Sequence, residues 1–395
     1  MSNTFCILPF LHINAYPNKK LKVCCYSQTF LENTNLENDS ISDAFNSDEY
    51  KQIRLDMLNG DKPKFCDVCY KMDDEGAESY RVKWNNDYSH LIQKYKNKTR
   101  KDGYNYPDFV RLDLRPSNIC NFKCRSCTSE YSSTWIEEQN AFKQFLGIAI
   151  DSNKTEINIT NFDIDKRYLK NIEHIYFAGG EPLYMKEMYE FLSNLENKEK
   201  IEIHLNTNFS LVKFNNRDIF EFFSQFKSIN FGISCDGIGN IGEFVRTGFN
   251  TNNFINNMNL LNEAKKKYSN IKHLFQYTCS ILNCFDFPNF RKEMYHMGYV
   301  DSDSQIRFGF AEYPYWLNVS NFEEKQAIID LYTRLDKTFN YNDLKTEIKN
   351  FVIYLKTNEG HPENTKDMFK TYINFGNDFN KTNIPNELEY LKKYL

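Results

Sequence analysis

From about Tyr106 onward the chain repeats one unit: a short alternating run, a loop, then apolar residues spaced every three or four positions. The alternating runs predict strands over 110–115, 174–178, 201–207, 229–235, 273–281 and 305–310. Helical spacing follows most of them. Ile219, Phe222, Phe223 and Phe226 share one face, Phe254, Ile255, Met258, Leu261 and Tyr268 another, and Phe290, Met294 and Met297 a third. Strands alternating with helices in this way predict an α/β fold, a parallel sheet with crossover helices. On three strands every second residue is polar: Arg111, Asp113 and Arg115; Glu202, His204 and Asn206; Gln276, Thr278 and Ser280. A parallel strand covered on both faces would be apolar throughout. The pattern therefore predicts a sheet curved around a polar cavity, with helices packed outside.

Before this repeat, residues 1–90 read as a separate unit, with a strand over 21–24 and one helix over 41–58 that ends at Asn59-Gly60. The basic run Lys94-Tyr-Lys-Asn-Lys-Thr-Arg-Lys101 falls in a stretch read as a solvated linker, 91–105. The core then spans 106–320. After Tyr313 the strand signal fades, and 322–339, 344–355 and a shorter stretch, 366–373, carry helical patterns. The Asn-rich 374–386 reads as loop. Residues 321–395 are expected to be a helical cap.

Composition narrows the function classes. The 395 residues include 34 Phe and 26 Tyr, enough to build a large core and against disorder. Lys plus Arg (49) nearly balances Asp plus Glu (53), so no basic excess points to nucleic acid or an anionic membrane. The start lacks a basic segment followed by an apolar run, and nothing approaches eighteen consecutive apolar residues, so neither a signal peptide nor a spanning helix is expected. Eleven cysteines in such a chain fit the reducing cytoplasm, where clustered thiols usually bind metal.

Those cysteines form two groups. Ser117-Asn-Ile-Cys120-Asn-Phe-Lys-Cys124-Arg-Ser-Cys127 places three at a Cys-x3-Cys-x2-Cys spacing just after a predicted strand. A 4Fe–4S cube normally takes four thiolates, so three on one loop would leave one iron open to a chelating small molecule. The second group is Cys6, one of the adjacent pair Cys24 and Cys25, and the Cys-x2-Cys of Cys66 and Cys69, four thiols that could close a cluster or a zinc site. A structural zinc remains open for both groups at this point. Side-chain alternation allows one of the pair to face such a site, and Cys24, continuing the Leu21-Lys-Val run, is the choice. Cys235, Cys279 and Cys284 read as small buried hydrophobes. Ala178-Gly179-Gly180-Glu181-Pro182 closes the second predicted strand of the repeat, with glycines that permit close approach of a ligand and a carboxylate that can receive an ammonium group.

The Cys120 loop followed by Gly179-Gly180-Glu181-Pro182 resembles the cluster loop and GGEP motif of the radical S-adenosylmethionine (SAM) superfamily, although Ser126 stands where that family usually has an aromatic residue. The resemblance covers roughly residues 5–310. It implies a partial (β/α)6 TIM-like barrel in which Cys120, Cys124 and Cys127 hold a 4Fe–4S cluster whose open iron takes SAM. It places Gly179, Gly180 and Glu181 at the SAM amino group. Asn206 of Asn206-Thr-Asn208, Ser234 of Ser234-Cys-Asp-Gly237, and Arg246 resemble further SAM contacts. The layout of Cys6, Cys24 and Cys25, Asn59-Gly60 and Cys66-Asp-Val-Cys69 is similar to the SPASM and twitch domains that hold an auxiliary 4Fe–4S cluster, here preceding the barrel.

The implied activity is reductive cleavage of SAM to methionine and a 5′-deoxyadenosyl radical that abstracts hydrogen from a substrate. An external one-electron donor such as flavodoxin or ferredoxin is implied. The substrate is expected to be a peptide or protein side chain, with a sugar or other small metabolite as the alternative and a zinc or electron-transfer protein as a distant one. No catalytic side chain is assigned.

Overall fold

The computed structural model describes residues 4–76, 78–150, 164–360 and 364–395. The chain divides into two compact groups, the described residues within Met1–Asn118, Ile157–His204 and Gln225–Lys227, and those within Ile119–Glu156, Leu205–Ser224 and Ser228–Leu395. Both are α/β with parallel strands.

In the first group the strand order is Leu21–Lys22 (β2), His12–Ala15 (β1), Arg111–Leu114 (β3), His174–Phe177 (β4). β1 runs antiparallel to β2 but parallel to β3, and β3 is parallel to β4. β1 is absent from the sequence expectation. His-Ile-Asn-Ala is too short and too polar to register as a strand, yet its alternation copies Arg-Leu-Asp-Leu of β3, with Ile13 and Ala15 buried on one face beside Leu112 and Leu114. β2 is shorter than the expected 21–24, because the chain turns at Cys24, whose carbonyl accepts the N–H of Ser27.

The helix expected over 41–58 is two helices, Ile41–Phe45 and Asp48–Asn59. Asn46 leaves helical geometry and Ser47 caps the second helix by accepting the N–H of Tyr50, as a Ser followed by Asp-Glu favours. Arg54 lies fully buried on that second helix. It donates to the carbonyls of Pro9, Phe45 and Gly103 and to Asn46, which satisfies its charge with backbone oxygens in place of a carboxylate. The stretch read as a linker, 91–105, is structured. Helix Ser89–Lys98 runs through it, and Lys94 and Lys98 both pair with Asp108 (3.3 and 2.8 Å). A like-charge run at i,i+4 is stable here because one nearly buried carboxylate neutralises it.

Strand Glu202–Thr207 (β5) spans the division, which falls after His204. The second group contains Ser228–Ser234 (β6), Ile271–Cys279 (β7) and Ile306–Phe310 (β8), with β7 parallel to both neighbours. Phe209, Phe220 and Phe223 close around Phe231 of β6, and Phe254 and Phe290 around Phe275 of β7. The C-terminal helices belong to this core. Helix Asn342–Thr357 lays Phe351 and Tyr354 on Phe308 and Phe310 of β8. Helix Thr365–Asn380 continues past the expected stop at 373, so most of the Asn-rich stretch is helical. Phe369, Tyr372, Ile373 and Gly376 keep the buried period there, and tertiary packing outweighs the weak helix propensity of Asn. Among the described residues, no helix is long and apolar enough to cross a membrane.

Candidate functional site

The three-cysteine loop of the second group is held at both ends. Lys123–Cys124 pairs antiparallel with Arg246–Thr247, so Cys124 lies opposite Arg246. The Cys124 carbonyl accepts the Trp135 indole N–H (2.9 Å), and the Arg125 carbonyl accepts the Tyr372 hydroxyl (2.7 Å). Arg125, between two of the cysteines, is buried with its guanidinium over Phe244 and donates to the Phe244 carbonyl, Asn377 and Thr382. Gly376 makes room for it. A Cβ there would come within 3.0 Å of its guanidinium.

The sulfurs face hydrogen-bond donors. The Phe122 N–H points at Cys120 Sγ (3.4 Å), and the Asn208 carboxamide lies within 4.0 Å of the same atom. Arg246 Nη1 donates to Cys124 Sγ (3.6 Å) while its Nε donates to Asp236 (2.8 Å). Asp236 is fully buried and also accepts the Thr278 N–H. Burial pushes the Cys127 thiol up to about 12, and Cys124 and Cys120 nearby add to the rise. Three thiols on one loop, two of them facing N–H donors, could be drawn out as thiolates by a bound metal. The donor set fits a 4Fe–4S cluster with an open iron.

The other expected contacts divide. Asn206, on β5, accepts from Gln276 (2.9 Å), whereas it is Asn208 that reaches the cysteine loop. Ser234 is the half-buried last residue of β6. Arg246 is turned to Cys124 and Asp236. The Asp236 anchor was missed from sequence, although its place in Ser234-Cys-Asp-Gly237 was a usable signal. In the first group Gly179 has φ +116° and a Cβ on it would lie 2.6 Å from the Ser117 carbonyl oxygen, which accepts the Gly180 N–H (2.8 Å). Only glycine fits there. Glu181, 1% exposed, accepts the Leu183 N–H and so caps the turn Pro182–Tyr184.

The first group also gathers Cys6, Cys24, Cys66 and Cys69 around one small cavity of about 20 Å³, with Leu8, Pro9, Val23, Phe65, Val68, Arg81 and Trp84 in its walls. Cys25 is not among its lining residues. The Cys6 segment is fixed by Asn85, which donates to the Phe5 carbonyl and accepts the Ile7 N–H, and by Arg81, which also donates to Phe5. Burial pushes Cys6 and Cys24 up to about 12 and Cys66 well above its usual value. A largely apolar pocket with four such thiols, and Arg81 in its lining, could take a four-thiolate metal site, because bound metal ions would supply the charge that deprotonates them. His12 is held neutral, its pKa driven down to about 3 by burial with Arg111 adding to the effect.

Residues 114–276 match the sequence model of the Radical SAM superfamily. A curated relative, the GTP 3′,8-cyclase of Campylobacter lari, is 29% identical over 118 residues, which is 28% of this chain and 30% of that protein. Among solved structures, anSMEcpe with bound AdoMet is 19% identical with a TM-score of 0.39, covering 58% of this chain and 59% of that one. SuiB of Streptococcus suis bound to S-adenosylmethionine is 13% identical with a TM-score of 0.36, covering 74% of this chain and 62% of that one. The chain thus spans under a third of the curated relative and about three fifths of each of these structures.

Proposed function

We propose that the chain is a radical SAM enzyme, a reading supported by the match of residues 114–276 to that superfamily's sequence model, and that it cleaves SAM to oxidise or rearrange a peptide or protein side chain, aided by a second cluster. The observation that carries the reading is the Cys120 loop, whose sulfurs meet the Phe122 N–H and Arg246. Cys120, Cys124 and Cys127 would hold the 4Fe–4S cluster, which when reduced supplies the electron that splits SAM into methionine and a 5′-deoxyadenosyl radical.

The chain's own part is positioning. Asp236 fixes Arg246 against Cys124, and Asn208 and the Phe122 N–H stabilise negative charge on Cys120. Gly179 and Gly180 allow close approach at the end of β4, where Glu181 can receive the SAM ammonium group. Asn206 and Ser234, at the C-terminal ends of their strands, are further candidates for SAM contact. Cys6, Cys24, Cys66 and Cys69 would hold an auxiliary 4Fe–4S cluster, and a ferredoxin or flavodoxin would deliver the electron.

The peptide assignment draws on the likeness of residues 1–90 to SPASM and twitch domains. The small-metabolite reading draws on the relative named GTP 3′,8-cyclase. The test is anaerobic reconstitution followed by dithionite and SAM. The wild type should form 5′-deoxyadenosine, and Glu181→Ala should weaken SAM binding while keeping its iron. A reconstituted protein that holds zinc and no iron, and releases no 5′-deoxyadenosine, would refute the reading.

A further inference from the structure

The polar face of the first group's sheet carries side chains that the chemistry above leaves unused. Pairing register puts Lys22, Asn14, Asp113 and Tyr176 in one row across β2, β1, β3 and β4. Residues paired across neighbouring strands point to the same side, at a strand spacing of about 4.8 Å. Arg115, one step beyond β3 in the same alternation, lies over this row. Asn14 is 0% exposed, yet neither its amide nitrogen nor its oxygen has a hydrogen-bond partner among the described residues. A buried carboxamide with both ends unmet is costly, so its place there calls for a partner.

Arg115 is the second open group. Its guanidinium lies 4.5 Å from the Tyr16 ring and 5.8 Å from that of Tyr176. Its one protein hydrogen bond among the described residues is a long one, from Nε to Asp113 (3.4 Å). Among the described residues neither Nη atom has a hydrogen-bond partner. The neighbouring cations are occupied. Arg111 stacks on Trp84 at 4.5 Å, and Lys22 lies over Phe30 and Tyr16 while donating to the Gln28 carbonyl. A planar fork with two free edges, clamped between aromatic rings, is suited to a carboxylate.

We propose that Arg115 and Asn14 anchor a carboxylate of the substrate, the guanidinium fork receiving its two oxygens and the Asn14 carboxamide meeting the adjoining amide. The proposal rests on the reading of the chain as a substrate-modifying radical SAM enzyme and names the chemistry its substrate presents. Asp113, beside the fork and 3% exposed, disfavours a dianionic phosphate more than a monoanionic carboxylate. A C-terminal carboxylate and an acidic side chain offer the same group.

Full-length, iron-reconstituted protein is titrated without reductant by calorimetry. The probes are three N-acetylated tripeptides: Ala-Ala-Ala with a free carboxylate, Ala-Glu-Ala amide and Ala-Gln-Ala amide, followed by inorganic phosphate. At least one carboxylate probe should bind at least about tenfold more tightly than the Gln peptide. Preference for the first assigns a chain terminus, and for the second an acidic side chain. Arg115→Gln should abolish the preference and Asn14→Ala reduce it, with iron content unchanged. Arg115→Lys and Asn14→Asp provide the same readout should Arg115→Gln not fold, since one removes the fork and the other adds a repelling charge. Equal affinity for all peptides, tighter binding of phosphate, displacement by SAM, or a preference that survives these variants would overturn the proposal. So would no binding at all, which would leave these groups to internal water. Because no turnover enters the titration, a protein that cleaves SAM but ignores carboxylates refutes the anchor and leaves the superfamily reading intact.

Discussion

The two cysteine sites are built on opposite principles. Cys120, Cys124 and Cys127 sit within eight residues on a single loop. Cys6, Cys24, Cys66 and Cys69 come from three separate segments, so a cavity must fold before they meet. The loop site surrounds its sulfurs with donors, Arg246 and the Phe122 N–H among them. The cavity site lines its thiols mostly with apolar side chains and supports them with backbone groups of Leu8, Tyr26, Ser27, Tyr80 and Arg81, while burial pushes Cys6 and Cys24 up as it does Cys127 in the loop. Three thiols on a loop suit chemistry at an open metal, and four around a cavity suit a closed one.

The sharpest way to break this contrast is to remove each site in turn. Replacing Cys120, Cys124 and Cys127 with Ala should abolish 5′-deoxyadenosine formation and leave about four of about eight irons. Replacing Cys66 and Cys69 with Ala should also halve the iron but retain dithionite-driven SAM cleavage, with a lower melting temperature because metal binding there is coupled to folding. Loss of SAM cleavage in folded protein that still holds the loop cluster would show that the sites act as one.

The adjacent pair gives a finer test. Cys24 lines the cavity, whereas Cys25 turns toward Asp113. Cys24→Ala should lose about four irons and Cys25→Ala none, by iron analysis. The reverse result would put the wrong thiol in the cavity.

The loop's donors should tune its cluster. Arg246→Gln removes a cation and a hydrogen bond from Cys124, which favours the oxidised state. The reduction potential, read by EPR-monitored titration, should fall by on the order of tens of millivolts while the auxiliary signal stays fixed. The smallest effect is expected from Tyr372→Phe, which unties the Arg125 carbonyl. A stability loss of about 1 kcal/mol by denaturant titration is expected, with little change in iron.

Much of this was legible in the sequence because it is periodic or closely spaced. Six core strands announced themselves by alternation, and the Cys120 loop by spacing alone. β1 escaped because two of its four residues, His12 and Asn14, point polar groups into the interior. The grouping of Cys6 with Cys66 was read from the cysteine count, whereas Asn85 and Arg81, which fix the Cys6 segment, gave no signal. The extension of helix Thr365–Asn380 was hidden by Asn residues, although Phe369, Tyr372, Gly376 and Phe379 kept the helical period. Arg246 was read as a SAM contact, and its turn toward Cys124 depends on Asp236, a carboxylate that sequence reading passed over.

The grip of helix Thr365–Asn380 on the Cys120 loop also has a consequence for biosynthesis. Tyr372, Gly376 and Asn377 are translated some 250 residues after the loop they secure. A nascent chain therefore presents three cysteines on a segment lacking its Tyr372 and Asn377 ties, and an iron–sulfur cube delivered then would meet an unbraced site. The four-cysteine cavity draws all its thiols from the first seventy residues and can close far sooner. Metal loading should follow that order, with the N-terminal site filled before helix Thr365–Asn380 has emerged and the loop site only after it.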